Sequence, residues 1–584
     1  MAPRSNDVSE TTHASFDHEV DFLIVGSGAG AMTAAIIAAD EGASALLIEK
    51  SPQFGGSSAM SGGGLWVPNN HMMEDGGFHD TPETAFTYMK GCIEKNGLEG
   101  DVVSEARIRA YLDNAPKAVK HLCEKARLRM QLVPDYADYY PEVEGSMEGG
   151  RTLESCAYHA REIGNDEFVR MRETAVQELI MGRVSMTIPE AQALLTRSPG
   201  WIGTLSKMAL TYAFDLPWRF RSKRDRRLAM GNALIGMLRH SLMDRDVPLW
   251  LDTPARRLLI EDGRAIGVEA EQQGRTIRIL ARKGVLLAAG GFEASQTMRE
   301  KHLPNPTSAE WTCANPYNTG DVIEMGRDVG AAIGLMDEAW WGPNTVVPGE
   351  DRARMLVIEK SLPGGIIVNK SGKRFVKETA AYNDIVKEMY DTESGAEASV
   401  PSYLIFDATY RAKYPVGPLL PGSQQPDWMV SKELMENFIT RAKTLDALAE
   451  TIGIDAAELR RTVDRFNADA REGVDHDFHR GETAFDKFYG DPDVGPNSCM
   501  APIETPPFYC VTVVPGELGT KGGLETDEFA RVVTREGDVI PGLYATGNCS
   551  ASVMGRTYPG AGSTLGPTTT FGYVAARHAL GVEE

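Results

Sequence analysis

Val20-Asp21-Phe22-Leu23-Ile24-Val25-Gly26-Ser27-Gly28-Ala29-Gly30-Ala31 decides how the rest of this chain is read. Six mostly apolar residues run into Gly26, which predicts a parallel strand buried on both faces. Ala29 to Glu41 is Ala-rich and predicts a helix, and Ala45-Leu46-Leu47-Ile48-Glu49 predicts the next strand. Together they make one βαβ unit. The turn fits G-x-G-x-x-G/A: Gly26 permits the tight bend, Gly28 lets the backbone approach a pyrophosphate, and Ala31 keeps helix close to strand. Ser27, Ala29 and Gly30 complete this turn, whose helix N-terminus offers N–H groups and a positive dipole end to phosphates. Glu49, with Lys50 beside it, lies twenty-one residues after Gly28, where a carboxylate accepts from ribose hydroxyls. A lone glycine turn is weak evidence; strand, helix and acid together specify a dinucleotide site.

Phe54-Gly55-Gly56-Ser57-Ser58-Ala59-Met60-Ser61-Gly62-Gly63 follows. Its Gly55, Gly56, Gly62 and Gly63 let the backbone pass close to a flat ligand, and Ser57, Ser58 and Ser61 add hydroxyls. Elsewhere such richness reads as a flexible linker. Far downstream, Gly284-Val285-Leu286-Leu287-Ala288-Ala289-Gly290-Gly291 and Gly542-Leu543-Tyr544-Ala545-Thr546-Gly547-Asn548 are two more strand-to-turn signals. Ala289, Gly290, Gly547 and Asn548 are therefore candidates to face the same ligand. Segments between Asp252 and Arg282, with a Glu261-Asp262-Gly263 turn, predict an antiparallel meander, and a helix is expected from about Gly562. The layout predicts an α/β fold. A Rossmann-like dinucleotide body over 19–297 and 505–584 accepts an inserted α+β catalytic domain over 298–504.

Composition limits the function classes. The chain has 584 residues, a net charge of −22 and a pI near 5.1, which argues against nucleic acid as a partner. Seven scattered cysteines without Cys-x-x-Cys, and no His-x-x-x-His among eleven histidines, predict a reducing, cytoplasmic setting and no metal site. Residues 1–18 are polar, read as a disordered tail and carry no signal-peptide pattern. No apolar stretch is long enough to span a membrane. One stretch, 189–227, stands apart. Trp201 to Trp218 is apolar and aromatic, and Arg219, Arg221, Lys223, Arg224, Arg226 and Arg227 follow. Two readings stay open: a peripheral anchor on the inner face of the cell membrane, or a packed helical hairpin with a solvated basic end.

The N-terminal pattern, Val285–Gly291 and Gly542–Asn548 together resemble the flavoprotein superfamily of fumarate reductases and ketosteroid dehydrogenases, over nearly the whole chain. That resemblance implies FAD, with an inserted catalytic domain. No histidine lies between residues 19 and 70 to attach it there, so the FAD is expected to be non-covalent. Four further segments resemble the 3-ketosteroid Δ1-dehydrogenases. They are Asp138-Tyr139-Tyr140-Pro141-Glu142, Phe375-Val376-Lys377-Glu378-Thr379-Ala380-Ala381-Tyr382, Gly519-Thr520-Lys521-Gly522-Gly523-Leu524, and Ser552 to Gly562 with Arg556-Thr557-Tyr558-Pro559-Gly560. The resemblance implies that Tyr382 is a base and Tyr139 its hydrogen-bonded partner. Tyr558 and the Gly562 N–H would hold the C3 carbonyl of a steroid or sterol. Ser563, Thr564 and Leu565 would present a helix N-terminus to the flavin ring.

The chemistry fits those roles. A 3-ketone acidifies the C2 proton, and two donors on its oxygen stabilise the enolate, each worth roughly 3–4 kcal/mol. A free tyrosine, with a pKa near 10, is a poor base, and a second tyrosine donating to it is expected to lower that value. Taken singly, each tyrosine reads equally as a core or surface aromatic, and Tyr136 and Tyr140 compete with Tyr139. Two departures stand out: Pro559-Gly560-Ala561-Gly562 replaces the Pro-Gly-Pro-Gly frequent in the family, and 189–227 is longer than the family pattern. The Trp201–Trp218 apolar run beside six cations, read as a membrane anchor, is the motive for expecting sterols that keep their C17 side chain. The sequence does not name the electron acceptor; a quinone-like carrier and another oxygen-independent carrier both stay open. The rivals are a dehydrogenase acting at C4–C5, a flavin-linked ene-reductase, and a non-catalytic flavin electron carrier.

Overall fold

The run from Phe22 to Val25 has no solvent face. The computed structural model describes residues 15–96, 103–175, 183–195, 199–393 and 395–582, and in it strand His18–Val25 lies inside an eight-stranded sheet. Phe22 and Ile24 enter one hydrophobic cluster while Leu23 and Val25 enter another; Leu47 parts from Leu46 and Ile48 in the same way. Side chains alternate faces along a strand, so an uninterrupted apolar run is the signature of a sheet covered on both sides.

Five strands run parallel, in the order Val539–Ala545, Arg275–Leu287, His18–Val25, Ala45–Ile48, Leu249–Trp250. This order carries Gly26, Ala288 and Thr546 to the same ends of three adjacent strands, where ligands of such sheets bind. Arg275–Leu287 serves two partners. It pairs antiparallel with Arg264–Gln272, which turns back on Ala255–Glu261, and parallel with the first strand. The expected break near Arg282 is therefore absent: meander and core strand are one element. Asp17 N donates to Arg278 O at 2.9 Å and the strand begins at His18, so the polar tail ends before Asp17. Residues 1–14 lie outside the described residues.

Helix Ala29–Asp40 packs on helix Leu565–Leu580 through bare backbone. A Cβ at Gly30 would stand 2.5 Å from the Thr568 carbonyl oxygen, and one at Gly572 2.4 Å from that of Gly30. The last helix thus closes directly over the dinucleotide turn.

A second, antiparallel sheet of six strands is built around Phe508–Thr520, which pairs with Ala339–Thr345, Ser402–Phe406 and Ile439–Ala442. Ile367, Leu404 and Val511 face one cluster. Ile366, Ile405 and Cys510 face the other, under helices Leu445–Ile452 and Ala456–Glu472. The expected return to the dinucleotide body at 505 is corrected: Phe508–Thr520 is the middle of the second sheet, so the chain leaves that sheet only after Thr520. Arg299 and Glu517, both fully buried, join helix Gln296–His302 to this strand by two hydrogen bonds of 2.6 and 3.0 Å.

Residues 199–227 form helices Trp201–Phe214 and Leu216–Arg219 before a short strand. The basic run does not fan into solvent. Arg226 pairs with Asp215, Arg227 with Glu190, Arg224 binds the carbonyl of Met171 at 2.8 Å, and Arg219 binds the carbonyls of Lys223 and Arg224. Arg221 and Lys223 alone of the six are exposed. Residues 196–198 lie outside the described residues. No helix among the described residues is long and apolar enough to cross a membrane.

Candidate active site

A cleft of about 860 Å³ opens where the parallel strands end. Gly26, Ser27, Gly28, Gly30, Ala31, Glu49, Lys50, Gly56, Ser57, Ser58, Ala289, Gly290, Gly547, Asn548, Thr564 and Leu565 all line it, from four distant segments. Gly26 adopts φ +117°, and a Cβ there would lie 2.2 Å from the Ala288 carbonyl oxygen, so only glycine makes this bend. Gly56 (φ +50°) shows bare backbone to the cleft, with no atom within 4 Å of where a Cβ would sit. Glu49 accepts from Ser27 Oγ (2.7 Å) and Ser51 N (2.9 Å), which fixes its carboxylate at the rim. These features suit a dinucleotide: tight turn, helix N-terminus, backbone cradle and ribose acid.

The remaining candidates support the cleft without lining it. Ala29 N donates to Ser58 Oγ and Gly55 N to Ser27 Oγ. Ser61 Oγ donates to Ser58 O and accepts from Gly63 N. Ser563 Oγ bridges Gly560 N and O, and a Cβ at Gly62 would meet no atom within 4 Å. Lys50 is tied to Asp321 and, at 2.6 Å, to Thr319 Oγ1.

Sequence reasoning missed Thr253, Asn315, Tyr317, Asn318, Asp321 and Thr568, which line the same cleft. Asn318 donates to Ser57 Oγ (3.1 Å) and to the buried Glu293 (2.6 Å). Burial pushes the Glu293 carboxyl up to about 7. Asn315 to Val322 lies in the segment expected to belong to the inserted domain, and no local motif marks it.

The tyrosines meet near the turn before helix Leu565–Leu580, where the Tyr558 hydroxyl lies 3.4 Å from that of the cleft-lining Thr564. Tyr139 and Tyr382 share a hydroxyl hydrogen bond of 2.9 Å. The Tyr558 ring stacks on Tyr139 (5.4 Å) and stands edge-on to Tyr382 (5.1 Å) and Trp340 (4.9 Å). All three tyrosines are buried. The competitors separate cleanly. Tyr140 donates to Asp384 at 3.0 Å, away from Tyr382, whereas the Tyr136 hydroxyl lies 3.4 Å from that of Tyr139. Gly562, at φ +97°, donates its N–H to no acceptor among the described residues. A Cβ there would press on Trp66 N at 2.5 Å.

Local contacts explain why these side chains converge. Asp138 is pinned by Trp66 Nε1 (2.8 Å) and Arg151 (2.7 Å), and Tyr139 N donates to Pro559 O (2.9 Å). Tyr382 is the first residue of helix Tyr382–Asp391. Further along that helix, Lys387 donates to Arg556 O, and the fully buried Lys521 donates to Thr557 O at 2.6 Å. Two ammonium groups thus grip consecutive carbonyls just ahead of Tyr558. Burial pulls Lys521 down to about 7. Burial also holds the Tyr382 phenol well above its ordinary range; the hydrogen bond from Tyr139 pulls it down but loses. The expected net lowering is corrected accordingly: in a dry site, desolvation of the phenolate outweighs one neutral donor.

Residues 21–565 match the FAD-binding-domain family. The chain is 42% identical to a 3-oxosteroid 1-dehydrogenase of Mycobacterium tuberculosis over 576 residues, 96% of this chain and 98% of that one. It is 34% identical to a 4-oxocyclohexanecarboxylate 2-dehydrogenase of Sinomonas cyclohexanicum, covering 96% and 93%. The crystal structure of 3-ketosteroid Δ1-dehydrogenase from Sterolibacterium denitrificans, in complex with 1,4-androstadiene-3,17-dione, is similar with a TM-score of 0.92. It is 44% identical and covers 97% of this chain and all of that one. The glycine turn, the acid at the rim and these likenesses agree: the cofactor is FAD, and the chain belongs to the FAD-dependent 3-ketosteroid Δ1-dehydrogenase family.

Proposed function

We propose that the chain dehydrogenates 3-keto-4-ene steroids between C1 and C2, and that the Tyr139–Tyr382 hydroxyl pair beside Tyr558 is the observation that carries this reading. Tyr558 and the free Gly562 N–H hold the C3 oxygen and stabilise the enolate that forms as C2 loses its proton. Tyr382 takes that proton, and Tyr139 orients it. Bound FAD supplies the acceptor for the two electrons and one hydrogen that leave C1. Gly26–Ala31, Glu49, Gly56–Ser58, Ala289–Gly290 and Gly547–Asn548 bind the cofactor. The second sheet, with its helices, is the catalytic insertion. A quinone-type carrier reoxidises the enzyme. Product analysis after turnover of androst-4-ene-3,17-dione tests the reaction. A 1,4-dien-3-one is expected; a product altered at C4–C5, or bound flavin that stays oxidised on anaerobic mixing, overturns it. Tyr382→Phe abolishes bleaching yet keeps FAD, and full activity in that variant refutes its role.

A second observation supports peripheral membrane contact. Ile202, Leu210, Phe214 (73% exposed), Leu216 and Phe220 (90%) form an exposed apolar surface next to Arg221 and Lys223. Apolar side chains flanked by cations suit an anionic bilayer surface. Such docking would admit sterols that keep their C17 side chain. Cosedimentation with vesicles of phosphatidylcholine and phosphatidylglycerol checks it. Phe214→Asp with Phe220→Asp is expected to lower binding at least tenfold, and unchanged binding sinks the idea.

A further inference from the structure

The base proposed above needs somewhere to send its proton. A neutral phenol whose ionisation is opposed by burial accepts a proton only as it gives up its own. Tyr139 alone does not solve this, because it is buried as well. The structure continues past it. The hydroxyl of Tyr136 lies 3.4 Å from that of Tyr139 and 2.8 Å from that of Tyr489, in the turn after helix Ala484–Phe488. Tyr489 is half-buried as a whole residue, and burial still holds its phenol well above the ordinary range. Aromatic packing fixes the line: Phe488 stacks on Tyr136 at 4.2 Å, Phe485 lies 4.7 Å from Tyr139, and Phe488 stands edge-on to Tyr489 at 4.8 Å. No carboxylate, histidine or lysine hydrogen-bonds any of these four hydroxyls among the described residues.

We propose that the hydroxyls of Tyr382, Tyr139, Tyr136 and Tyr489 form a proton-release line that carries the substrate's C2 proton to solvent, with Tyr489 as the exit. The inference rests on Tyr382 as the proton acceptor. Each phenol both donates and accepts. As the C2–H bond breaks, a new O–H bond forms on Tyr382. Its former proton passes to Tyr139, that of Tyr139 to Tyr136, that of Tyr136 to Tyr489, and that of Tyr489 to a water or buffer base. Every phenol ends neutral, so no buried charge is left behind, which answers the desolvation that opposes a lasting phenolate. The 3.4 Å link between Tyr136 and Tyr139 exceeds a relaxed O–H···O bond and marks the step where a ring must shift.

The test uses holoenzyme reduced with dithionite under anaerobic conditions in D₂O, with androst-4-ene-3,17-dione as probe. With the flavin already reduced, deuterium entry at C2 reports proton movement without oxidation. Tyr136→Phe and Tyr489→Phe are expected to slow wash-in at least tenfold with unchanged KM and FAD content. Tyr489→His, which keeps a proton carrier at the exit, is expected to retain it. Wild-type wash-in in both Phe variants, with none in Tyr382→Phe, overturns the line and leaves the base standing. Wild-type wash-in in Tyr382→Phe overturns the base itself. Equal loss in Tyr489→Phe and Tyr489→His assigns a structural role and overturns the line as well. Should Tyr136→Phe not fold, the Tyr489 pair decides alone.

Discussion

Tyr558 sits on a loop whose preceding carbonyls are held by Lys387 and Lys521. Those contacts hold the backbone ahead of Tyr558, and the proposed oxyanion role requires a donor held in place in this way. Tyr558→Phe is expected to lower kcat by about 10²–10³-fold with little change in FAD content, read by stopped-flow flavin reduction. Glu293 makes a different prediction. Its folded pKa is raised to about 7 from 4.5, so the folded state binds the proton more tightly than the unfolded one. Stability from this group is full below about 4.5 and is lost as pH rises through about 7, on the order of 3 kcal/mol in all. Glu293→Gln should gain Tm relative to the parent as pH rises across that window and level off above it. Thermal melts at pH 5, 6, 7 and 8 check this. The three tyrosines proposed for the site were legible as candidates because each sits in a short recognisable segment. Tyr136 was legible only as a competitor of Tyr139 and Tyr489 not at all, since they are 353 positions apart and only the folded chain joins their hydroxyls.

Helices Ala29–Asp40 and Leu565–Leu580 meet at Gly30 and Gly572, where each backbone occupies the space a side chain would need. Gly572→Ala is expected to cost ~1–3 kcal/mol through overpacking and to loosen FAD, measured as a lower Tm and faster cofactor loss on dilution. Elements with strong local signals were readable: the first strand and its turn, the strand ending at Leu287, the strand before Thr546. Their pairing partners were less so. Phe508–Thr520 was assigned to the dinucleotide body because it precedes another strand of that body in sequence. Its hydrogen bonds go instead to Ala339–Thr345, Ser402–Phe406 and Ile439–Ala442, a choice made by distant residues. The basic run after Trp218 left two readings open for a similar reason. Charge is visible in a sequence, but the acids that absorb it, Asp215 and Glu190, are selected by the way the helices turn.

Across the whole molecule, helix Gln296–His302 is joined to the second sheet where the fully buried Arg299 meets Glu517. Breaking one side of such a pair strands the other charge, so Glu517→Gln is expected to cost about 3–5 kcal/mol, read from denaturant unfolding. The FAD cleft is likewise a property of the entire chain. Its walls come from Gly26, Glu49, Ala289, Asn318, Thr546 and Thr568, residues spread over more than 500 positions of the sequence. At about 5–20 residues per second, the N-terminal turn waits on the order of half a minute to two minutes for the helix that roofs it. A nascent chain halted before Thr546 displays the fingerprint of a flavoprotein and lacks the roof to retain a flavin. Cofactor retention therefore depends on the 546–568 segment lying over the N-terminal turn, and a chain without that segment is expected to lose its yellow colour on gel filtration.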